Sequence, residues 1–222
     1  MSVNSGGGQR IFIDNRNNQF ASARDAFNSV IGSVSGETVI FLHQDIRFLQ
    51  DNVLENILNY VWKLDRYGVV GVAGCPNAPT WKIFTNIVHG AKRVSVGEKI
   101  NEMTEVQTVD ECFFVMCRKE LQKLRFNNIS GWHMYAVEQC LRSIQDGLKN
   151  YVVPADGLWH VSDGKSLGPE YMDTLDEMIK RYGEDFDYFN TTIKFWKTHG
   201  INAYIYRHYY KIKQILKRAI LK

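Results

Sequence analysis

Two histidines and several polar or acidic residues stand where apolar segments of the sequence end, a placement that suits metal binding or proton transfer. Imidazole nitrogens and carboxylate oxygens are ligands that divalent cations accept in proteins. A single histidine more often makes structural hydrogen bonds, so each residue alone is a weak signal. As a set they predict one polar site, and its members are Asp14, His43, Gln44, Asp45, Asp110, Glu111 and His160.

The composition is that of a folded α/β protein. The 222 residues are 45% hydrophobic and 23% charged, with only 4 prolines, which favours one sizeable core over disorder. No apolar run approaches the ~20 residues that cross a bilayer, and we expect no leader peptide at the start. The 4 cysteines lack Cys-x-x-Cys spacing and are interpreted as reduced core residues of a cytoplasmic protein.

Charge is divided unevenly along the chain. Residues 191–222 contain eight Lys or Arg and no Asp or Glu, so the first 190 residues carry 19 basic and 24 acidic side chains. A surface that binds nucleic acid needs clustered basic residues on the body of the domain. The sequence therefore predicts no nucleic-acid partner and assigns the basic character to the C-terminal segment.

The apolar periodicities predict strands alternating with helices. Ser22 is a plausible N-cap for the first helix, and residues 75–105 have no clear period and are expected to form a long loop. This alternation predicts a mostly parallel sheet flanked by helices, with ligands at the carboxyl ends of its strands. The strands are expected at 10–14, 38–42, 69–74, within 106–121 and within 149–164, and the helices within 22–36, 51–68 and 132–147.

The segment IDNRNNQFASARDAFNSVIGSVSGETVIFLHQDIRF, residues 13–48, resembles the nucleotide-sugar half of family 2 glycosyltransferases, which have the GT-A fold. A strand ending in Asp-Asn, a Ser-Ala-x-x-x-x-Asn helix and a Gly-Glu turn occur in the family's order. His-Gln-Asp stands where the family usually has Asp-x-Asp, as in a bacterial subgroup. The likeness covers residues 11–200 and continues through GVAG, VDECFFVM, LRFNNISGWHMYAVEQCLRSIQDGLKNYVVPADGLWHVSDG and TTIKFWKTHG.

The resemblance implies a divalent cation, Mn²⁺ or Mg²⁺, as cofactor. Asp45 occupies the last acidic position of the family motif, which is expected to hold the metal. His43 stands where the first Asp would contact ribose or metal, and His160 matches a histidine that often supplies another ligand. The alternative for His43 is a purely structural role at the end of its strand.

The resemblance also implies a nucleoside diphosphate sugar as donor. Asp14 and Asn15 match the position that contacts uracil or ribose in the family, and Gln44 belongs to the same expected site. An Asx turn that ends a strand explains Asp14 and Asn15 equally well, and the sequence leaves both interpretations open.

The acceptor side departs from the family pattern. Family members usually open this helix with Glu-Asp, whose Asp is the catalytic base, but the alignment places Tyr135 and Ala136 there, and alanine cannot accept a proton. Trp132 and Tyr135 are candidates for a platform that contacts a sugar, although core packing is commoner for aromatic residues. The candidates for the base are His133, Asp110 and Glu111.

The N-terminal end also departs from the pattern. The fold normally begins with a central strand before the one that ends in Asp14-Asn15, and residues 1–10 are too polar and Gly-rich to form it. We therefore expect a flexible start at 1–10 and a GT-A-like fold without its first strand. Unless another segment pairs there, the gap leaves sheet edges exposed.

The C-terminal segment, residues 201–222, has the pattern of a basic amphipathic helix. Such a helix suits an anionic membrane surface, and the alternative is packing on the protein's own body or on a partner subunit of a homo-oligomer. Its apolar stripe comprises Ile201, Ile205, Tyr209, Ile212, Leu216 and Ile220. The flanking basic residues are Arg207, Lys211, Lys217, Arg218 and Lys222.

Together these features predict a GT-A-like domain at 11–200 and a basic helix at 201–222. The expected activity is an inverting, metal-assisted transfer of a sugar to a glycan or lipid-linked glycan, as in polysaccharide biosynthesis, in the cytoplasm or on the inner face of the membrane. The leading alternative is a non-catalytic relative that binds a nucleotide or glycan, or a subunit of a complete transferase. A metal-dependent hydrolase is a third possibility, although its ligands would need a tighter cluster.

Overall fold

A computed structural model describes residues 8–162 and 168–220 of the chain. Three parts of the predictions lie outside that range: residues 1–7 of the expected flexible start, residues 163–164 of the segment 149–164, and Lys222. The helices are α1 (Ala23–Val30), α2 (Val53–Val61), α3 (Arg118–Lys123), α4 (Tyr135–Gln145), α5 (Pro169–Tyr182) and α6 (Ile201–Ile220), with a 3₁₀ turn at Ile31–Ser33. The strands are β1 (Thr38–Leu42), β2 (Ile46–Phe48), β3 (Val70–Gly71), β4 (Ala73–Cys75), β5 (Phe84–Thr85), β6 (Val88–His89), β7 (Val94–Ser95), β8 (Thr104–Val106), β9 (Thr108–Val109), β10 (Phe113–Cys117), β11 (Asn150–Val152), β12 (Leu158–His160), β13 (Tyr188–Asn190) and β14 (Phe195–Lys197).

The α/β class and the C-terminal helix are confirmed, but the strand directions differ from those expected. The central sheet has five strands in the order β1-β10-β3-β11-β8. Only β3 and β11 run parallel, whereas the other three pairs are antiparallel. Eight strands, β3 to β10, follow one another without a helix between them. Parallel neighbours need a long crossover, and short connections permit antiparallel pairing instead.

Antiparallel pairing still gathers polar residues at one edge of the sheet. Leu42, the last residue of β1, lies opposite Phe113, the first residue of β10. The His43 N–H continues this pairing and donates to the Cys112 carbonyl oxygen at 2.9 Å. The segment that leads into β10 and the segment that leaves β1 therefore lie side by side, so Asp110 comes close to the end of β1.

Helices cover both faces of the central sheet. On one face, Phe27 of α1 packs edge-on against Phe41 of β1, with ring centroids 5.0 Å apart. On the other face, α2 buries Val53, Ile57 and Val61. The predicted N-cap of α1 is confirmed, because the Ser22 hydroxyl accepts the Asp25 N–H.

Several predicted elements differ in extent. Residues 10–14 form no strand, and Phe12 is 81% exposed, because no strand in the described part of the chain pairs with this segment. The predicted loop at 75–105 contains β5, β6 and β7 and the start of β8, whose short lengths give no readable period. Helix α5, which was not among the predicted elements, packs its buried face against α4 and β13. Within the described residues, β1 has a partner strand on one side only.

The basic C-terminal segment is one helix, α6, which contacts α5. Among the described helices, none combines the length and apolar character that a membrane crossing requires.

A fully buried ion pair joins the helices behind the sheet. The Arg24 guanidinium on α1 bonds to Glu138 on α4, and neither side chain is exposed to solvent. Glu138 also accepts the Asn127 N–H at 3.1 Å and the Tyr182 hydroxyl at 3.3 Å. Arg24 in turn donates to the His133 carbonyl oxygen at 3.0 Å. Arg142, one helical turn from Glu138, donates instead to the carbonyl oxygens of Leu124 and Arg125.

Removing one partner of this pair should destabilise the domain strongly. Arg24→Met leaves the Glu138 carboxylate buried without its counter-charge, which typically costs about 3–5 kcal/mol of unfolding free energy. The double variant Arg24→Met/Glu138→Met should lose less than the sum of the two single losses, because the partners are coupled. Urea unfolding measures all three values. Additive losses, or a single loss below about 1 kcal/mol, would contradict this account.

Candidate metal centre and adjoining cleft

A tight turn followed by a short strand brings Asp45 to His160. The His43 carbonyl oxygen accepts the Ile46 N–H at 3.2 Å, which closes the turn after β1. Strand β2 then runs antiparallel to β12 and pairs Ile46 with His160. The Val161 N–H extends the pairing by donating to the Asp45 carbonyl oxygen at 3.0 Å. The register of β2 on β12 thus decides that these two distant residues meet.

The side chains of His43, Asp45 and His160 form a cluster that could hold a metal ion. One ligand atom from each residue lies within 4.8 Å of the other two. The Asp45 Oδ2 atom is 3.4 Å from His160 Nε2, and Ser162 hydrogen-bonds both residues through its N–H and its hydroxyl. The predicted convergence of Asp45 and His160 on one site is therefore present in the structure.

The donor set of this cluster fits a divalent cation that accepts nitrogen ligands. Burial lowers the pKa of His43, so its ring is neutral and can donate a lone pair. Burial opposes ionisation of Asp45, but hydrogen bonds from Ser162 and the charge of His160 outweigh it and lower the pKa of this carboxyl. Two imidazoles and one carboxylate suit Mn²⁺ or another transition metal better than Mg²⁺, which prefers oxygen ligands.

Tyr135 links the cluster to helix α4. Its hydroxyl lies 2.7 Å from His43 Nε2, and such a contact fixes the orientation of an imidazole ring. The ring of Tyr135 is 4% exposed and packs against Phe27 and Phe114. The expected role of Tyr135 as a sugar platform is therefore wrong, because its ring lies in the core. Trp132 is 44% exposed and remains accessible.

His89, which was not among the predicted site residues, lies beside the cluster. Strand β6 pairs with β12 in parallel and places His89 opposite His160, with ring centroids 5.5 Å apart. Burial lowers the pKa of His89, which keeps another neutral imidazole at this site. The apolar run that ends in His89 resembles the run that ends in His43, and this signal could have identified it.

The three candidate bases line one cleft next to the cluster. Asp110, Glu111 and His133 face it together with Tyr171 and Thr192. The start of the segment TTIKFWKTHG thus contributes to the cleft, although Thr192 was not among the predicted site residues. The His133 ring packs edge-on against Tyr171 at 5.6 Å between centroids.

The surroundings of Asp110 and Glu111 limit how well either carboxylate can act as a base. Burial opposes ionisation of Asp110, but hydrogen bonds from Thr192 and the Cys112 N–H outweigh this effect and lower the pKa of the carboxyl. The Thr192 hydroxyl donates to one Asp110 oxygen at 2.5 Å, and the Cys112 N–H donates to the other at 2.9 Å. Glu111 accepts the Tyr135 N–H at 2.7 Å at the start of α4. Burial, reinforced by the charge of Asp110, raises the pKa of Glu111 to about 8.

His133 is the candidate base whose ring is most suited to accept a proton. It is partly exposed and lies two residues before α4, rather than inside the helix as predicted. Burial lowers its pKa, so the imidazole is neutral at physiological pH. Its carbonyl oxygen is held by Arg24, which fixes the backbone that carries the ring.

The predicted nucleotide-binding residues at the N-terminal end lie in a self-contained loop. Asp14 is exposed and forms an ion pair with Arg16, a bond that lowers its pKa to about 2. The side chain of Asn15 bonds both backbone groups of Phe20. Gln44 is exposed at the turn before β2. The cluster and its cleft thus do not include Asp14 or Asn15 among their described contacts.

A model of a glycosyltransferase-like family matches residues 11–182. Among solved structures, the chain is similar to the inositol-1-phosphate CTP transferase from T. maritima, at 15% identity and a TM-score of 0.37. That similarity covers 70% of this chain and 62% of the other, so the chain spans less than two thirds of that structure. A search of curated proteins finds no significant match.

The raised pKa of Glu111 leads to a prediction of how the stability of the protein depends on pH. The ordinary pKa of a glutamate is 4.5 and the folded value is about 8, so between these values the unfolded chain binds fewer protons than the folded one. Stability should therefore fall as pH rises through this window. In Glu111→Gln the amide mimics the protonated acid, so the loss of melting temperature between pH 5 and 8 should shrink.

The matched control is Glu102→Gln, which changes an exposed glutamate in a bend and should keep the parental pH dependence. Thermal unfolding of the three proteins across this pH range provides the measurement. An unchanged slope in Glu111→Gln would show that Glu111 is ionised in the folded state.

Proposed function

The chain belongs to a glycosyltransferase-like family, and we propose that it transfers a sugar from a nucleoside diphosphate donor to a glycan or lipid-linked glycan. The observation that supports this proposal most is that a candidate metal site lies next to a cleft with a candidate base. The cluster of His43, Asp45 and His160 could hold a cation. Tyr135 contacts His43 with its hydroxyl and bonds Glu111 with its N–H, and Glu111 lines the cleft that contains His133. Sugar transfer requires both a place for the diphosphate and a base for the acceptor.

In the proposed reaction, His43, Asp45 and His160 hold the divalent cation. The cation supplies charge neutralisation for the diphosphate leaving group. Tyr135 and Ser162 orient the ligands through hydrogen bonds to His43, Asp45 and His160. The chain is proposed to belong to the subgroup of the family that has His-Gln-Asp in place of Asp-x-Asp. Gln44, at the exposed tip of the turn, is proposed to contact the nucleotide.

His133 is proposed to remove the proton from the acceptor hydroxyl. The hydroxyl oxygen then forms a bond to the anomeric carbon while the bond to the diphosphate breaks, and the nucleoside diphosphate leaves with the bonding electrons. A single displacement of this kind inverts the anomeric configuration. The exposed ring of Trp132, one residue before the base, is proposed to contact the acceptor sugar.

The remaining parts of the proposal concern the donor and the cellular location. Asp14 and Asn15 are proposed to contact the donor base or ribose, and this contact requires the loop that holds them to move toward the cluster.

A cytoplasmic location suits the cysteines, which are all free; Cys75, Cys112 and Cys140 are buried. In this setting the domain would take part in polysaccharide biosynthesis.

A non-catalytic relative is the second candidate. Ala136 stands where the family has its base, and β1 has one side without a partner strand in the described part of the chain. Either feature suits a protein that binds a nucleotide or glycan, or one that completes its sheet with another subunit. This candidate predicts metal-dependent donor binding without turnover.

The metal assignment predicts the behaviour of Asp45→Asn. Mn²⁺ should raise the melting temperature of the parent protein more than Mg²⁺ does, because ligand binding to the native state is stabilising and imidazole ligands favour Mn²⁺. Asp45→Asn should lose the Mn²⁺ shift while its metal-free melting temperature changes little, since the side chain contributes little packing. Thermal shift with each metal, alone and with a panel of nucleoside diphosphate sugars, measures both effects.

The control for this variant is Asp65→Asn, at an exposed position after α2. It should keep the parental response to both metals. A Mn²⁺ shift that survives in Asp45→Asn, or equal responses to Mn²⁺ and Mg²⁺, would argue against this ligand set.

The base assignment predicts a selective loss of turnover in His133→Gln. General base catalysis typically contributes 10²–10⁴-fold, so kcat should fall by about a hundredfold or more while donor binding is retained. Because burial lowers the pKa of His133, the neutral base persists below pH 6.5, and the acidic limb of the kcat/KM profile should lie below that value. The donor is the nucleoside diphosphate sugar that the thermal-shift panel identifies.

His199→Gln, which changes an exposed histidine in the turn before α6, is the control and should keep parental kcat. If His133→Gln retains kcat and the parental pH profile, another group is the base. Donor binding with no turnover in the parent protein would instead favour the non-catalytic candidate.

A further inference from the structure

Helix α6 packs on the body through its polar and ionic side. The residues that are buried or half-buried recur every three or four positions, and they form one stripe that faces the body. The members of this inner stripe are Ala203, Arg207, Tyr210, Lys211 and Gln214.

Specific contacts fix the inner stripe in this orientation. Arg207 donates to the Lys197 carbonyl oxygen at 2.7 Å, and Lys211 forms an ion pair with Asp173 on α5. The Tyr210 ring packs edge-on against Trp196, with centroids 5.3 Å apart. A rotation of α6 that buried its other side would break all of these contacts.

The apolar side of α6 consequently faces away from the body. A surface helix normally buries its apolar stripe against the core, whereas here five large residues are each 57–70% exposed. A row of this length is unusual on a monomer and marks an interaction surface. The residues of this outer stripe are Ile201, Ile205, Tyr209, Ile212 and Leu216.

The charges around the outer stripe favour one kind of partner. Lys213 and Lys217 are exposed and form no ion pair with any described residue. The segment 191–222 carries eight basic and no acidic residues, so two copies that met through α6 would bring like charges together. An anionic surface matches both the apolar stripe and its basic border.

We infer that the outer stripe of α6 lies in the interface of an anionic lipid membrane. The helix then lies flat, with its isoleucines among the acyl chains and its lysines near the headgroups. Tyr209 and Tyr204 have amphipathic rings that suit the boundary between the two zones. The body, with 24 acidic and 19 basic residues in the first 190, is repelled by the same surface, so α6 faces the lipid.

This inference does not depend on sugar transfer, because vesicle binding is measured without donor or metal. The full chain should co-sediment with phosphatidylcholine vesicles that contain phosphatidylglycerol, and binding should be weak without the anionic lipid. Binding should fall steeply as salt is raised, since exposed charges are screened.

Two double variants separate the apolar and the electrostatic contributions. Ile205→Ser/Ile212→Ser should lower the vesicle partition coefficient by at least about tenfold, because two large apolar side chains leave the stripe. Lys213→Gln/Lys217→Gln should lower it about thirtyfold, which corresponds to about 1 kcal/mol for each basic residue near the surface. All four residues are exposed, so both variants should keep the parental circular dichroism and melting temperature.

Matched controls change equally exposed residues elsewhere. Val94→Ser/Val96→Ser removes apolar residues that are 53% and 46% exposed, and Lys63→Gln/Lys119→Gln removes two exposed lysines; both should bind as the parent does. Equal binding to neutral vesicles, or anionic binding that neither α6 variant weakens, would overturn the inference. So would light scattering that shows a dimer which Ile205→Ser/Ile212→Ser converts to a monomer, since the outer stripe would then join two copies.

Discussion

The buried ion pair between Arg24 and Glu138 is the interaction on which the remainder of the site depends. Two charges with no solvent exposure are stable in a core only when each is paired and hydrogen-bonded. Their additional bonds reach Asn127, Tyr182 and the His133 carbonyl. One charged pair therefore joins α1, α4 and α5 with the segment before α4, and it fixes the backbone of the proposed base.

The sheets position the residues of the candidate metal cluster by placing the ends of different strands side by side. Antiparallel pairing of β1 with β10 brings the segment after Leu42 next to the segment before Phe113. Antiparallel pairing of β2 with β12 then sets Ile46 opposite His160. A shift of either register by one residue would turn the side chains to the opposite face, so the cluster depends on both pairings at once.

Tyr135 links the candidate metal cluster to the cleft that contains His133. Its hydroxyl contacts His43 and its backbone N–H bonds Glu111, so the candidate metal cluster and the cleft share one buried residue. Movement at the start of α4 would consequently alter both. The arrangement favours a rigid site that keeps the cluster and the cleft at a fixed separation, which is what the proposed displacement at one carbon atom would require.

The sequence by itself determined what depends on local pattern. It predicted the α/β class, the cap at Ser22 and the helical C-terminal segment, because periodicity and capping are properties of neighbouring residues. It also placed His43, Asp45 and His160 in a larger set of polar residues at the ends of apolar segments, and the family resemblance implied that these three hold a metal. Tertiary structure decided everything that depends on which distant segments meet. Strand direction, the pairing of Arg24 with Glu138 and the place of His89 beside His160 follow from contacts between remote parts of the chain. The same is true of α6: its pattern predicts an amphipathic helix, but only its ion pairs with α5 and the packing of Tyr210 on Trp196 decide that the apolar side faces outward.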